Sequence, residues 1–157
     1  MKKIESFTVD HLRLNLGVYV SRVDQVGAET VTTFDLRMKY PNKERLDNGA
    51  IHTLEHLIAT FVRNDEEFAS RILYFGPMGC LTGMYLLVHG AYTSEEILPL
   101  LKRAFAFAAD YNGELPGVSA IECGNYELHN LEGAKLEAAA YLEVLSHAGP
   151  ENLNYPQ

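Results

Sequence analysis

Several residue types are scarce in this chain. Its 157 residues include no Trp and only two Cys, and 13 Lys and Arg stand against 21 Asp and Glu, for a net charge of −8. An acidic chain is a poor partner for a nucleic-acid backbone or an anionic membrane. No apolar run approaches the length that crosses a bilayer. Residues 1–3 are followed by Ile4-Glu5-Ser6 instead of an apolar segment, so we expect no export signal.

The two cysteines, Cys80 and Cys123, are not expected to form a disulfide, because disulfides belong to oxidising compartments and no export signal is expected. We therefore predict two reduced thiols with separate roles in a cytoplasmic protein. A hydrophobic content of 47% and a charged content of 22% are ordinary for a globular protein. The length predicts a single domain over residues 1–157.

Hydrophobic periodicity predicts both strands and helices. The predicted strands cover residues 17–23, 29–39, 72–75 and 84–89, and the predicted helices cover about 50–64, 65–71, 93–111 and 126–147. This mixed order predicts an α+β fold in which helices cover one face of an antiparallel sheet of about four strands. The last residues, 151–157, are expected to form a frayed tail.

The predicted helix at 50–64 carries the motif His52-Thr53-Leu54-Glu55-His56. Residues four apart lie one turn apart on the same face of a helix, so His52 and His56 project together. Two neutral imidazoles at this spacing can hold a divalent metal ion. The carboxylate of Glu55 lies near the same face and can move protons at a metal-bound water or substrate. The alternative is a helix with two surface histidines.

Cys123 is the natural third ligand of such a metal ion, because Gly124 after it lets the backbone come close. Two imidazoles and one thiolate leave a fourth position for water or substrate, which is typical of a catalytic site. The alternative is a buried structural thiol.

Cys80 follows Gly79 in a tight loop between two predicted strands, where a side chain can be held rigidly at the mouth of a pocket. A thiol near a divalent cation has a depressed pKa, and it can then act as a general acid, a general base or a nucleophile. The alternatives are a small apolar filler and a fourth metal ligand that closes the site.

The other polar candidates carry weaker signals. Arg37, on the polar face of its strand, is more often a solvated charge than a clamp for substrate oxygens, and Arg63 gains some weight from its place on the metal face of the helix. Ser6 and His11 are weaker still. The remaining histidines are assigned to the structure, His89 and His129, or to a solvated helix end, His147.

Taken in order, the motifs of nearly the whole chain resemble those of the LuxS family of S-ribosylhomocysteine lyases. The matching segments are Ser6-Phe7 with Asp10-His11, Phe34-Asp35-Leu36-Arg37, Pro41-Asn42, Ile51-His52-Thr53-Leu54-Glu55-His56-Leu57, Pro77-Met78-Gly79-Cys80 with Thr82-Gly83, Thr93-Ser94, and Cys123-Gly124 followed by His129 and Leu131. One stretch departs from some members, which carry an acidic residue and Ile-Ser where this chain has Tyr74-Phe75-Gly76.

The resemblance implies a metal-dependent carbon–sulfur lyase that converts S-ribosylhomocysteine to homocysteine and 4,5-dihydroxy-2,3-pentanedione, the autoinducer-2 precursor, on an inverzincin-like architecture. It implies His52, His56 and Cys123 as ligands of one divalent metal, Fe(II) natively with Zn or Co able to replace it. It implies Glu55 and Cys80 as the acid/base pair. It implies a homodimer with active sites at the interface. The implied substrate-binding residues are Ser6, His11, Arg37 and Arg63.

Two other functions fit parts of the sequence. The His-x-x-Glu-His pattern also occurs in zinc metallopeptidases of the inverzincin type, which need a downstream carboxylate ligand such as Glu122 or Glu132 and have no use for Cys80. A non-catalytic metal-binding protein would use Cys80 as a fourth ligand.

Overall fold

The computed structural model describes residues 2–156, so Met1 and the last residue of the predicted tail, Gln157, lie outside it. Two short 3-10 turns, Glu5–Phe7 and Ala69–Arg71, accompany the regular elements. The strands and helices are β1 Gly17–Val26, β2 Glu29–Arg37, α1 Asn48–Arg63, β3 Ile72–Pro77, β4 Gly83–His89, α2 Ser94–Ala109, α3 Leu131–Ser146 and α4 Pro150–Leu153. Among the described residues, no helix has both the length and the apolar character needed to cross a lipid bilayer.

The four strands form one antiparallel sheet in the order β1-β2-β4-β3. Gly27, at φ +63°, turns the β1–β2 hairpin in the left-handed region that suits glycine. The register pairs Phe34 with Leu86 and Leu36 with Met84, which aligns the apolar side chains of the two central strands. The predicted α+β fold with a four-stranded antiparallel sheet is therefore confirmed.

The core forms where α1, α2 and α3 pack together and against the sheet. On α1, Leu54, Leu57 and Ile58 are fully buried, while His52 and His56 on the other side of the helix remain partly exposed. The predicted amphipathic character of this helix is confirmed. Its packing fixes the direction in which the two imidazoles project.

The last long helix begins later than predicted, at Leu131 instead of about residue 126. The side chain of Asn130 accepts a hydrogen bond from the backbone N–H of Gly133 at 2.9 Å and so caps the first turn. The residues before this cap stay irregular. Their backbone is therefore available to the site described below.

The predicted helix at 65–71 is also wrong, because only the 3-10 turn Ala69–Arg71 forms there. The side chain of Asp65 accepts hydrogen bonds from the backbone N–H groups of Glu67 and Phe68, both at 3.1 Å. Aspartate bonded to the backbone two residues on is typical of a turn, and it competes with a helix.

The carboxyl-terminal segment is folded against the sheet, in contrast to the expected frayed tail. Asn152 in α4 donates a side-chain hydrogen bond to the carbonyl of Leu16 at 2.8 Å. The ring of Tyr155 stacks on that of Tyr19, with centroids 4.7 Å apart. The segment is ordered because the side chains of Asn152 and Tyr155 contact β1 and the residue before it, and position near the end of the chain does not reveal such contacts.

Candidate metal centre and active site

The amino-terminal half of α1 places two imidazoles side by side. Asp47 caps the helix by accepting a hydrogen bond from the backbone N–H of Ala50 at 2.9 Å. The ring Nδ1 of His52 lies 2.6 Å from the carbonyl oxygen of Leu128. That of His56 lies 2.7 Å from the carbonyl oxygen of Pro116. A carbonyl only accepts, so each Nδ1 carries a proton, and Nε2 is the ring atom that is left to bind a metal.

Cys123 reaches the same place from the irregular segment between α2 and α3. Its backbone N–H donates to the carbonyl of Ser119 at 3.0 Å, which closes a turn. Its Sγ lies 3.5 Å from the Nε2 of His52, and the backbone N–H of Asn125 donates to that sulfur at 3.4 Å. A cysteine sulfur beside an imidazole nitrogen is a donor pair that suits a divalent transition metal.

His129, which the sequence analysis assigned to a structural role, belongs to this cluster. Its ring stacks on that of His52 with centroids 4.2 Å apart and meets the ring of His56 edge-on at 4.8 Å. Its Nδ1 is 3.0 Å from the hydroxyl of Thr53, and its Nε2 is buried without a hydrogen-bond partner among the described residues. Burial, and then the neighbouring imidazoles, lower the pKa of His129 and favour its neutral form.

One donor atom from each of His52, His56, Cys123 and His129 lies within 4.8 Å of the other three. Nitrogen and sulfur donors in a compact group fit a divalent transition metal. Hydrogen bonds from the far side of ligand rings to backbone carbonyls are typical of metal-binding histidines. The predicted group of His52, His56 and Cys123 is confirmed, and the sequence analysis missed His129.

The ligands required by the two other functions do not join this group. Glu122 instead accepts a hydrogen bond of 2.5 Å from the hydroxyl of Ser119. Glu132 and Cys80 are likewise outside the group that the described residues form. Among the described residues, the member of the group beyond His52, His56 and Cys123 is an imidazole, that of His129, and is neither a carboxylate nor a second thiolate.

Cys80 lies in a second polar cluster. The turn that presents it is closed by a hydrogen bond from the N–H of Leu81 to the carbonyl of Met78 at 3.0 Å, and Cys80 lies beside a cavity, as predicted. Its Sγ is 3.0 Å from the hydroxyl of Thr82 and 4.0 Å from Nη1 of Arg37. Partial burial of the sulfur raises the thiol pKa, but the Thr82 hydrogen bonds and the Arg37 charge outweigh it, so the pKa of Cys80 is lowered overall.

Arg37 is buried, so its interpretation as a solvated charge is wrong. Its Nη1 donates to the Thr82 hydroxyl at 2.5 Å, and its Nη2 donates to Oδ2 of Asp35 at 2.6 Å. Each of the two charged side chains is only 3% exposed. Because the guanidinium occupies the hydroxyl oxygen of Thr82 as an acceptor, the proton of that hydroxyl is free to point at the Cys80 sulfur.

A cavity of about 430 Å³ opens beside this second cluster. His11, Arg37 and Cys80 all line it, so the structure brings together three residues that the sequence analysis placed in the site. Its other lining residues are Pro41, Asn42, Lys43, Glu44, Arg45 and Thr82. The cavity and the metal cluster have no residue in common.

Among the described residues, the metal group and the lining of the cavity do not include the remaining predicted residues, Glu55, Ser6 and Arg63. Glu55 is partly buried on α1, in the residue directly before His56. Ser6 is partly buried in the first 3-10 turn. Arg63 is exposed at the end of α1, where it donates to the carbonyl of Ala59 at 3.5 Å.

Comparison with known proteins agrees with this geometry. Residues 4–151 match the sequence profile of the family described as S-ribosylhomocysteinase (LuxS). The chain is 57% identical to the S-ribosylhomocysteine lyase of Phocaeicola vulgatus over 99% of this chain and 98% of that protein. It is 55% identical to that of Porphyromonas gingivalis over 99% of each, and 50% identical to that of Clostridium acetobutylicum over the full length of both. On the profile match and these full-length identities, the chain belongs to the LuxS family of S-ribosylhomocysteinases.

Proposed function

We propose that this chain cleaves S-ribosylhomocysteine to homocysteine and 4,5-dihydroxy-2,3-pentanedione, the precursor of autoinducer-2. The observation that carries the proposal is the pairing of a His/His/Cys group with a separate thiol that contacts Thr82 and Arg37, in a chain related to lyases along its whole length. Carbonyl migration and elimination need an electrophile for oxygen and groups that relay protons, and the two clusters offer both.

His52, His56 and Cys123 are the proposed ligands of one divalent cation, natively Fe(II), with Zn or Co as possible replacements. Three protein ligands leave one position for substrate oxygens. When bound, such a cation supplies a Lewis acid for the carbonyl and hydroxyl groups of the sugar. His129 is proposed to fix the ring of His52 by stacking on it. This assignment leaves the fourth position free.

Glu55 and Cys80 are the proposed proton carriers. In each of two carbonyl shifts, a base removes the proton from the carbon next to the carbonyl, and the resulting enediol is protonated again one carbon along. Cys80 suits the role of base because the Thr82 hydrogen bonds and the Arg37 charge lower the pKa of its thiol and so favour the thiolate. Glu55, on the same helix as two ligands, is proposed to serve the oxygens. Each proton relay of this kind is worth about 10²–10⁴-fold in rate.

The carbon–sulfur bond breaks in the last step. A base removes the proton next to the shifted carbonyl, the electron pair forms a carbon–carbon double bond, and the thioether sulfur leaves with the bonding pair. The departing sulfur takes up a proton and becomes homocysteine, while the enol product tautomerises to the pentanedione. No electron is gained or lost overall, so no redox cofactor is needed.

Ser6, His11, Arg37 and Arg63 are proposed to contact the substrate. His11 and Arg37 line the same cavity as Cys80, which supports this role for both. Arginine presents several donors in a fixed plane, which suits the hydroxyl and carboxylate oxygens of a sugar-linked amino acid.

The working unit is proposed to be a homodimer in which the Cys80 cavity of one chain meets the metal group of the other. This explains why the two clusters of one chain share no residue. Near the cavity, the amino-terminal segment exposes large apolar side chains, among them Phe7, 70% exposed, and Leu12, 86% exposed. Exposed apolar groups of this size favour a protein partner over solvent.

Mixed dimers test the shared site. Cys80→Ala chains keep the metal ligands and His56→Ala chains keep the thiol, so each variant alone should be inactive. If the site crosses the interface, unfolding and refolding the two variants together should restore homocysteine release. The rate per chain should then be about a quarter to a half of the wild-type rate. Mixtures as inactive as the separate variants contradict the proposal.

The activity itself is tested with anaerobically purified protein loaded with Fe(II) or Co(II). Incubation with S-ribosylhomocysteine should release free thiol, which a thiol-specific dye measures over time. Cys80→Ala should keep its metal and lose the release, while Met78→Leu in the same turn should keep both. Turnover by the Cys80→Ala protein at a wild-type rate would refute the role of the thiol.

Residues 1–157 are proposed to act as one catalytic domain in the cytoplasm. The two free thiols support this location, because both proposed roles need reduced sulfur. Fractionation of cells that express the full chain measures where the chain is located, and thiol labelling of each fraction measures whether Cys80 and Cys123 are reduced there.

A further inference from the structure

The carboxyl-terminal segment reaches back to the polar cluster around Cys80. The Tyr155 hydroxyl donates to Oδ2 of Asp35 at 2.9 Å, across 120 residues of chain. The same carboxylate oxygen accepts the 2.6 Å hydrogen bond from Arg37. Tyr155, Asp35, Arg37 and Cys80 thus form a chain of contacts that runs from the end of the protein to the thiol.

We propose that Tyr155 is a positioning residue for the lyase reaction, which acts through Asp35 to hold Arg37 in place opposite the Cys80 thiol. The inference rests on the proposed role of Cys80 and adds to it a residue outside both the metal group and the cavity. It assigns a function to the tail that the sequence analysis expected to fray.

The carboxylate of Asp35 has few other partners. Its Oδ1 and the Nε of Arg37 are buried without hydrogen-bond partners among the described residues. The orientation of the Asp35 carboxylate therefore depends on the two contacts to its Oδ2, from Arg37 and Tyr155. A buried polar group is costly to leave unpaired, and the Tyr155 hydroxyl supplies one of the two hydrogen bonds that the Asp35 carboxylate accepts through Oδ2.

Tyr155 is itself firmly held. Its ring stacks on the fully buried Tyr19, whose hydroxyl lies 3.0 Å from the carbonyl of Asn15 and 3.2 Å from that of Glu151. Burial, and then the charge of Asp35, raise the pKa of Tyr155, so the hydroxyl remains a proton donor. Replacement by Phe keeps the stacked ring and removes only the donor.

The expected effect on the thiol has a definite sign. The Tyr155 hydroxyl disperses part of the negative charge of Asp35. Without this hydroxyl, the carboxylate of Asp35 offsets more of the positive charge of Arg37 at the thiol. The carboxylate also has one contact fewer to orient it, so it positions the guanidinium less well. In both cases the guanidinium stabilises the thiolate of Cys80 less. Both changes raise the pKa of Cys80.

The experiment compares Tyr155→Phe with wild type in the metal-loaded protein. The rate of iodoacetamide alkylation at Cys80 is followed from pH 5 to 9 by mass spectrometry of the peptide, which separates Cys80 from Cys123. We expect the apparent pKa of Cys80 to rise by about half a unit, so that alkylation below that pKa slows about threefold. An unchanged profile overturns the proposal.

Two further variants serve as controls. Tyr141→Phe removes another buried hydroxyl, which donates to the carbonyl of Gly17 at 2.6 Å, and it should leave the profile in place. In an Asp35→Asn background, Tyr155→Phe should have no additional effect on the profile. An equal shift in that background overturns the route through Asp35.

The pH profile has other contributors, which stay constant in the comparison. The titratable or charged side chains that also face the thiol are His11, Lys43, Glu44, Arg45 and Tyr85, and no variant alters them. The readout also separates the two proposals. If wild type releases no homocysteine but Tyr155→Phe still shifts the alkylation profile, the lyase function is refuted and the effect of Tyr155 on the thiol stands. If wild type releases homocysteine but Tyr155→Phe leaves the profile unshifted, the lyase function stands and the role of Tyr155 is refuted.

Discussion

The buried pair of Asp35 and Arg37 makes a sharp prediction about stability. Asp35→Leu removes the carboxylate and leaves a guanidinium whose side chain is 3% exposed. Burial lowers the pKa of Arg37, but the charge and hydrogen bond of Asp35 outweigh this and raise it overall, so the group stays charged in the native protein. Breaking a buried pair on one side costs about 3–5 kcal/mol, because the remaining charge is uncompensated.

The double variant Asp35→Leu/Arg37→Met should recover most of that loss. Replacing a buried ion pair by apolar residues of similar volume is often neutral or stabilising. We therefore expect the double variant to unfold within about 1 kcal/mol of wild type while the single variant falls several kcal/mol below both. The double variant should nevertheless release no homocysteine, because the thiol has lost its cation.

Equilibrium unfolding in urea measures both effects. With an m-value of about 2 kcal/mol per molar urea, a loss of about 4 kcal/mol lowers the midpoint by about 2 M. A metal that binds the native state would add its own stabilisation, so every variant is unfolded in excess chelator. A midpoint for Asp35→Leu within about 0.5 M of wild type refutes the claim that Asp35 compensates the buried charge.

Three further predictions concern the clusters and the tail. His129→Phe should keep one metal ion per chain by elemental analysis, whereas His52→Phe should lose it; equal loss in both makes His129 a ligand. Thr82→Val should raise the pKa of Cys80, so alkylation slows at neutral pH and converges with wild type at high pH, where both thiols are ionised; identical rates at neutral pH contradict this. Gly17→Ala should lower the melting temperature by several degrees in a circular-dichroism scan, because a Cβ there collides with the carbonyl oxygen of Asn152. Gly79→Ala, where a Cβ meets nothing within 4 Å, is its control.

The sequence was most informative where structure is local. The alternation of Phe34, Leu36 and Met38 predicted β2, and the buried stripe and paired imidazoles of α1 followed from helical periodicity. The capping box of α2, in which the side chains of Thr93 and Glu96 each accept from the backbone N–H of the other, is a signal of the same local kind. Such signals depend on residues within a few positions of each other, so a single sequence contains them in full.

The sequence was least informative where the contacts are distant along the chain. Arg37 alternates in sequence like a solvated charge, but side chains from far along the chain, Thr82 and Tyr155, surround its pair with Asp35. His129 carries no helical spacing to His52, because it lies in an irregular segment. The one signal in the sequence that could have placed His129 in the metal group is its position six residues after Cys123.

The carbonyls of Pro116 and Leu128, which accept from the two ligand rings, and Cys123 itself all lie in residues 110–130, a stretch without regular helix or strand. A cation bound by His52, His56 and Cys123 would link this stretch to α1. Chelation should therefore expose residues 110–130 to limited proteolysis while the sheet and long helices resist. A cell short of the metal would accumulate chains that are cleaved in this one segment, and the supply of metal would then set the abundance of the protein as well as its activity.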